Sequence, residues 1–211
     1  MIKKLANIGT RRLIGMLLGN VLLGIGVSVF KLSGMGNDPF SAMCMSVSTL
    51  LHLAYSNYLV ILNSFIFIID ITLGRKYIGL GTVVNWFLVG YVAEFFIWLT
   101  HILIPAPTGF ITQFPFVIAG VILISFGVSL YQSSNAGIAP FDSISLIMNE
   151  RLPIPYFWCR ICCDGLCALI ALFTGGLIGL GTFACAFCLG PVIHFFNEHI
   201  SKKLLYRQAK V

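Results

Sequence analysis

The sequence predicts an all-α polytopic membrane protein, and its composition, the length of its apolar stretches and an internal repeat all support that fold class. Of its 211 residues, 58% are hydrophobic and only 9% are charged, against about 45–50% and about 25% in soluble domains. A soluble chain with so few charged residues has too little polar surface to face water. This composition excludes a cytosolic enzyme, a secreted disulfide scaffold and a disordered chain.

Apolar stretches along the chain predict the membrane spans. A helix needs about 20 residues to cross a hydrocarbon core of about 30 Å, and six stretches approach or exceed that length. They are Leu13–Lys31, Tyr58–Leu73, Gly79–Ile104, Phe114–Tyr131, Tyr156–Phe173 and Leu177–Asn197. Two shorter stretches, Pro39–Ala54 and Pro140–Asn149, follow Gly/Asn-rich turns, and the sequence leaves open whether they span or re-enter. We expect residues 1–211 to form a single membrane domain.

Basic residues predict the orientation and the partners. The net charge is +6, but the basic residues flank apolar segments instead of forming a stripe, so we expect a lipid bilayer as partner and no nucleic acid. They lie before the first span and after the last: Lys3, Lys4, Arg11, Arg12, Lys202, Lys203, Arg207 and Lys210. Six spans with both termini cytoplasmic also place Arg75 and Lys76 inside, whereas eight spans would place that pair outside. We therefore expect a multi-pass protein of the cell membrane with cytoplasmic termini.

An internal repeat has a period near one hundred residues. Gly26–Phe40 aligns without gaps on Gly127–Phe141 with seven of fifteen positions identical, and Ile78–Thr82 recurs as Ile178–Thr182. We interpret this as a duplication, with repeat 1 over about residues 12–104 and repeat 2 over about residues 113–199. Each repeat carries three spans and one short element, and an odd number of spans predicts that the halves lie inverted. Many transporters share this plan and build their sites from discontinuous helices.

The turn after the first span has a G-x-G-x-x-P pattern, over Gly34–Pro39, and follows a glycine-rich first helix. On these residues the chain resembles the YczE/YyaS/YitT family of bacterial integral membrane proteins. The resemblance covers most of the chain and implies a membrane location and a transporter-like role, without a substrate. The second copy of the turn has Asn135 in place of Gly34 and Ala139 in place of Asp38, so the two halves need not share one role.

The duplicated turns are the predicted substrate-binding site. Its residues are Gly36, Asp38 and Pro39 in the first copy and Gly137, Pro140 and Asp142 in the second. Asp38 before Pro39 is typical of an N-cap followed by proline at N1, and Asp142 falls at N3, where a carboxylate also satisfies free amides. Such helix starts present N–H groups and a positive dipole to an anion or a carboxylate. Two alternatives stay open: the carboxylates only cap the helices, or they bind a cation or a proton.

Ionisable residues within the spans are further candidates, because a charge at membrane depth is costly. Glu94 and His194 fall at equivalent positions of the two repeats, and we predict that they couple transport to protons; the alternative is hydrogen bonding within the bundle. Arg160 and Asp164 are four residues apart and are predicted to form a structural ion pair. Asp70 lies near the predicted inner face, where we expect it to snorkel.

These features predict a small secondary transporter that works by alternating access, with an unknown small molecule or ion as substrate. Two alternatives remain: a channel that uses the paired short helices as a filter, and a non-transporting accessory of a biosynthetic or regulatory complex. No catalytic signature is present, so we do not expect an enzyme. We also expect no cofactor and no metal, because the cysteines lack neighbouring histidines and suit packing. Six spans make a thin bundle, which is compatible with a homodimer.

Overall fold

The computed structural model describes residues 9–206 and is all-α over that range. Its helices are α1 Thr10–Ser33, α2 Pro39–Leu50, α3 Tyr55–Leu73, α4 Leu80–Leu103, α5 Phe110–Ser133, α6 Pro140–Arg151, α7 Tyr156–Phe173 and α8 Leu180–Phe196. A 3₁₀ turn over Arg75–Tyr77 precedes α4, and a π turn over Asn197–Ser201 continues α8 into α9, Lys202–Tyr206.

Six of these helical segments are long and apolar enough to cross a membrane: α1, α3, α4, α5, α7 and the continuous segment Leu180–Tyr206. The remaining two, α2 and α6, have 12 residues each, which is about 18 Å of helix and too short to cross. The predicted fold class, six spanning helices plus two short ones, is therefore confirmed.

The ends of the spans lie within three residues of the prediction except in two spans. The last span continues through the π turn to Tyr206 instead of ending at Asn197. Helix α5 begins at Phe110 instead of Phe114, because the carbonyl of Gly109 accepts from the amides of Thr112 and Gln113 and so starts the helix before Pro115. The basic residues predicted to flank the spans at Lys3, Lys4, Arg207 and Lys210 lie outside the described residues.

Helices α1 and α5 pack closely and run in opposite directions. A Cβ added at Gly19 would lie 2.6 Å from the carbonyl oxygen of Gly127, and one added at Gly127 would lie 2.7 Å from that of Gly19. Further along α1, the ring of Phe30 lies against Gly120. Because a later residue of α1 meets an earlier residue of α5, the two helices are antiparallel. Small residues at these crossings let the backbones approach.

Each turn after a long first helix bonds to the start of a helix in the other half of the chain. The amide of Gly181 donates to the carbonyl of Met35 at 2.8 Å, and the amide of Gly81 donates to the carbonyl of Ala136 at 2.9 Å. These four residues occupy equivalent positions of the sequence repeat. Each half therefore donates an equivalent hydrogen bond to the other.

Helix α6 packs against α3 and covers a buried carboxylate. Asp70 is 1% exposed, and the hydroxyl of Ser143 donates to its Oδ1. The side chain of Ile147 lies against Gly74, directly after α3. The expectation that Asp70 snorkels to the membrane surface is therefore wrong, because α6 supplies it with a partner inside the protein.

Candidate functional site

The two short helices begin side by side in the interior of the bundle. Phe40 and Phe141, each the residue after the proline that opens its helix, stack with ring centroids 4.1 Å apart and planes at 13°. The side-chain amide of Asn37 donates to the carbonyl of Val27 at 3.1 Å. Since Val27 lies six residues before the end of α1, the turn folds back along α1 before α2 begins.

Asp38 caps α2, as predicted. Its Oδ1 accepts from the amide of Ser41 at 3.0 Å, and Pro39 occupies the first turn. Its Oδ2 is buried and has no hydrogen-bond partner within residues 9–206. Burial raises the pKa of Asp38, while the hydrogen bond from Ser41 opposes that rise. One carboxylate oxygen at the start of α2 is thus unpaired among the described residues.

Asp142 does not cap α6, so the predicted capping role at N3 is wrong. No side chain caps this helix; instead, Oδ1 of Asp142 accepts from Nη1 of Arg160 and Oδ2 accepts from the hydroxyl of Tyr131. The side-chain amide of Gln132 lies 3.5 Å from the same Oδ2. A charged donor and a phenol draw the carboxylate away from the helix amides, because hydrogen bonds between ionised groups are the stronger ones.

Arg160 binds two carboxylates, that of Asp142 on α6 and that of Asp164 on its own helix, α7. Its Nε donates to Oδ2 of Asp164 at 3.1 Å, which confirms the predicted pair, and its guanidinium carbon lies 5.2 Å from the centroid of the Phe141 ring. The contact to Asp142 was not predicted, since it joins two different helices. Asp164 is 8% exposed, and its Oδ1 has no hydrogen-bond partner in the described chain.

We call Asp38, Asp142, Arg160 and Asp164 the central acidic cluster. Asp38 interacts electrostatically with Arg160 and Asp142, and Asp164 interacts with all three of the others. Three carboxylates against one guanidinium give the cluster a formal charge of −2 when all are ionised. In a low-dielectric interior such an excess is costly unless a cation or a proton offsets it.

The predicted proton-coupling residues lie in different surroundings. Glu94 is half-buried on α4 and interacts electrostatically with the buried Tyr55, which also interacts with Asp38. His194 is exposed on α8, where it interacts with Glu198. Only Glu94 is thus linked through a neighbour to the central acidic cluster. Proton coupling through either residue stays a prediction.

A separate polar groove of about 460 Å³ lies where α5 ends beside α9. It is lined by Gln132, Ser133, Asn135, Asn197, Lys202 and Tyr206. The side-chain oxygen of Asn197, in the π turn, accepts from the hydroxyls of Ser129 and Ser133 at 2.7 and 2.9 Å. The sequence analysis did not predict this groove, because it depends on the unexpected extension of the last helix.

The helices and the buried charges define a polytopic α-helical membrane protein with a polar centre. The chain belongs to DUF6198, a family of unknown function, which matches residues 10–198. No solved structure matches the chain.

Three curated relatives are similar over most of their lengths. The uncharacterized membrane protein YczE of Bacillus subtilis is 26% identical over 193 residues, which cover 91% of this chain and 88% of that protein. The uncharacterized protein YyaS of the same organism is 23% identical over 193 residues, covering 92% and 96%. An uncharacterized protein of Haemophilus influenzae is 26% identical over 183 residues, covering 86% and 81%. The resemblance to YczE and YyaS is thereby confirmed.

Proposed function

We propose that this protein is a small secondary transporter of the cell membrane whose two inverted repeats alternate access to the central acidic cluster. The observation that carries the proposal is the meeting of α2 and α6 at the stacked rings of Phe40 and Phe141, inside a bundle of six spans. In inverted-repeat transporters, substrate sites form where discontinuous helices meet near the repeat interface. The proposed site residues are Gly36, Asp38, Pro39, Gly137, Pro140 and Asp142, with Glu94 and His194 as proton-coupling candidates.

Two features support the inverted arrangement of residues 12–104 and 113–199. Helices α1 and α5, which begin the two repeats, pack antiparallel. The reciprocal bonds from Gly181 to Met35 and from Gly81 to Ala136 are what a two-fold relation between the halves produces. In alternating access, we expect these two contacts to open one at a time, each giving access from one side.

Single-cysteine labelling tests the orientation. Lys76 and Gly175 are both exposed and lie in equivalent connections of the two repeats. In a background with all seven cysteines replaced, a membrane-impermeant maleimide applied to intact cells should label a cysteine at 175 and not one at 76, and inverted vesicles should give the opposite result. Labelling of both from the same side would refute the inverted repeat. The same assay tests the proposed cytoplasmic termini, with cysteines placed at each end.

A flux assay tests transport. Proteoliposomes receive gradients of single isotope-labelled solutes, including sodium, potassium, ammonium and guanidinium salts and amino acids. Uptake of the label measures the flux, and a pH-sensitive dye inside the vesicles reports proton movement. A carrier gives saturable flux that depends on the proton gradient, whereas a channel gives flux that does not saturate. Asp38→Asn and Glu94→Gln should lower the flux at least tenfold. Full flux in both variants would refute these residue assignments, and no flux for any solute would favour an accessory role.

A further inference from the structure

Within the central acidic cluster, the carboxylates already bind one organic cation, the guanidinium of Arg160. That group is bound by the carboxylates of Asp142 and Asp164 and lies over the face of Phe141. Carboxylates combined with an aromatic face are the groups that bind guanidinium and ammonium ions in proteins. The side chain of Arg160 therefore shows which ligand chemistry this centre accommodates.

Two carboxylate oxygens of the central acidic cluster lack a hydrogen-bond partner among residues 9–206. Oδ2 of Asp38 and Oδ1 of Asp164 are buried and have no hydrogen-bond partner in the described range, and the two carboxylates interact electrostatically. The ring of Phe40, two residues after Asp38 in the chain, is stacked on Phe141, the ring over which the guanidinium of Arg160 lies. Two unpartnered acceptors beside an aromatic pair match the needs of a second cation. A cation suits this cluster better than an anion, because its three carboxylates face a single guanidinium.

We infer that the central acidic cluster binds an organic monovalent cation of the guanidinium or alkylammonium class between Asp38 and Asp164, next to Arg160. This inference deepens the proposed function by naming its substrate class. One bound cation lowers the formal charge from −2 to −1 and gives donors to both free oxygens. The net negative charge of the cluster is costly in a hydrocarbon interior, and binding a cation reduces that cost.

Ligand-induced stabilisation tests this inference on the full-length protein in detergent. Millimolar guanidinium or methylammonium chloride is added, with sodium chloride at the same concentration as the ionic-strength control, and unfolding is followed by tryptophan fluorescence. A ligand at ten times its Kd shifts the folding equilibrium about tenfold, which raises Tm by about 3–6 °C in a chain of this size. Sodium should give no such rise.

Three variants assign the effect to the cluster. Asp38→Asn should abolish the rise while keeping the helix cap, since asparagine caps as well as aspartate, and Asp164→Asn should also abolish it. The matched control is Asp70→Asn, which neutralises another buried carboxylate with one unpartnered oxygen outside the cluster and should keep the full rise. Asp38→Asn decides the matter if Asp164→Asn does not fold.

Retention of the guanidinium response in Asp38→Asn, or an equal response to sodium, would overturn the inference. The flux assay separates this failure from that of the proposed function. Saturable flux of a neutral or anionic solute, with no response to guanidinium, would refute the cation site and leave the transporter intact. A response to guanidinium that depends on Asp38, without flux of any solute, would support the site and refute transport.

Discussion

Gly36 and Gly109 have the same backbone angle, φ +100°, in opposite surroundings. A Cβ added at Gly36 would lie 2.8 Å from the amide nitrogen of Gly179 and 2.6 Å from Oγ1 of Thr182, whereas one added at Gly109 would meet nothing within 4 Å. The two positions therefore require a glycine for different reasons. At Gly109 only the backbone angle requires it, and at Gly36 the contact between the two halves requires it as well.

We predict that Gly36→Ala is more destabilising than Gly109→Ala. Both variants carry the strain of a left-handed backbone, about 1–3 kcal/mol, and Gly36→Ala adds a clash with backbone atoms that costs about 1–3 kcal/mol more. Gly137→Ala should match Gly36→Ala, since its Cβ would lie 2.8 Å from backbone atoms of Gly79. Equilibrium unfolding in detergent measures all three. Equal losses at 36 and 109 would show that the turns do not pack as described.

The stacked rings at the start of α2 and α6 should be energetically coupled. In a double-mutant cycle with Phe40→Leu and Phe141→Leu, we expect a coupling free energy of about 0.5–1.5 kcal/mol, because leucine keeps the apolar contact and loses the ring stacking. The control cycle uses Phe110 and Phe114, one helical turn apart and exposed, with ring centroids 5.6 Å apart. Its coupling should be smaller, about 0.2–0.5 kcal/mol as for exposed side chains four residues apart on a helix, and equal coupling in the two cycles would argue against a special role for the central stack.

Local chemistry made much of this fold predictable. Apolar length alone located the six spans, and the Asp38–Pro39 step located the start of α2, because an N-cap and a proline at N1 act within one turn. The Arg160–Asp164 pair was predictable for the same reason, since residues four apart on a helix are neighbours.

Contacts between distant segments were not predictable from the same sequence. Asp142 looked like a capping residue, yet it bonds to Arg160 and Tyr131. One signal was visible in the repeat itself: Tyr131 replaces Phe30 and Asp142 replaces Ser41 at equivalent positions. Two polar substitutions confined to one half suggest a pair in contact, but only the packing of the helices shows that they meet.

Two buried asparagines join α1 and α4, and we predict that removing both is less harmful than removing one. The side-chain amide of Asn85 donates to Oδ1 of Asn20 at 2.6 Å, and Asn20 donates to the carbonyl of Met16. Asn85→Leu leaves a buried acceptor unpaired, which costs about 1–3 kcal/mol. Asn20→Leu with Asn85→Leu removes both partners and should recover part of that loss. Additive losses in equilibrium unfolding would contradict the prediction.

An exposed cluster ties the end of α6 to the turn before α4 and should make stability depend on pH. Lys76 and the hydroxyl of Tyr77 both donate to Glu150 and hold the pKa of its carboxyl below the usual value of 4.5. A carboxyl with a lowered pKa stabilises the folded state above pH 4.5, and that contribution is lost as the pH falls through the folded-state pKa.

The comparison of wild type with Glu150→Gln measures this contribution. We expect the Tm of the variant to be lower at pH 7 and the difference to disappear under acid conditions, at pH values below the lowered pKa. High salt should also reduce the difference at pH 7, because exposed ion pairs are screened. A difference that stays constant across this pH range would assign it to something other than ionisation.

Arg160 should be the residue on which the polar centre depends most. Arg160→Gln leaves Asp142 and Asp164 without their charged partner in a buried site, and breaking a buried pair in this way costs about 3–5 kcal/mol. Asp142→Asn in the same chain removes one of the stranded charges, so the double variant should recover part of the loss. The control, Asp70→Asn combined with Arg160→Gln, should not recover it, because Asp70 belongs to a different contact. Equal recovery by both second variants would mean that total charge, and not the geometry of the cluster, determines stability.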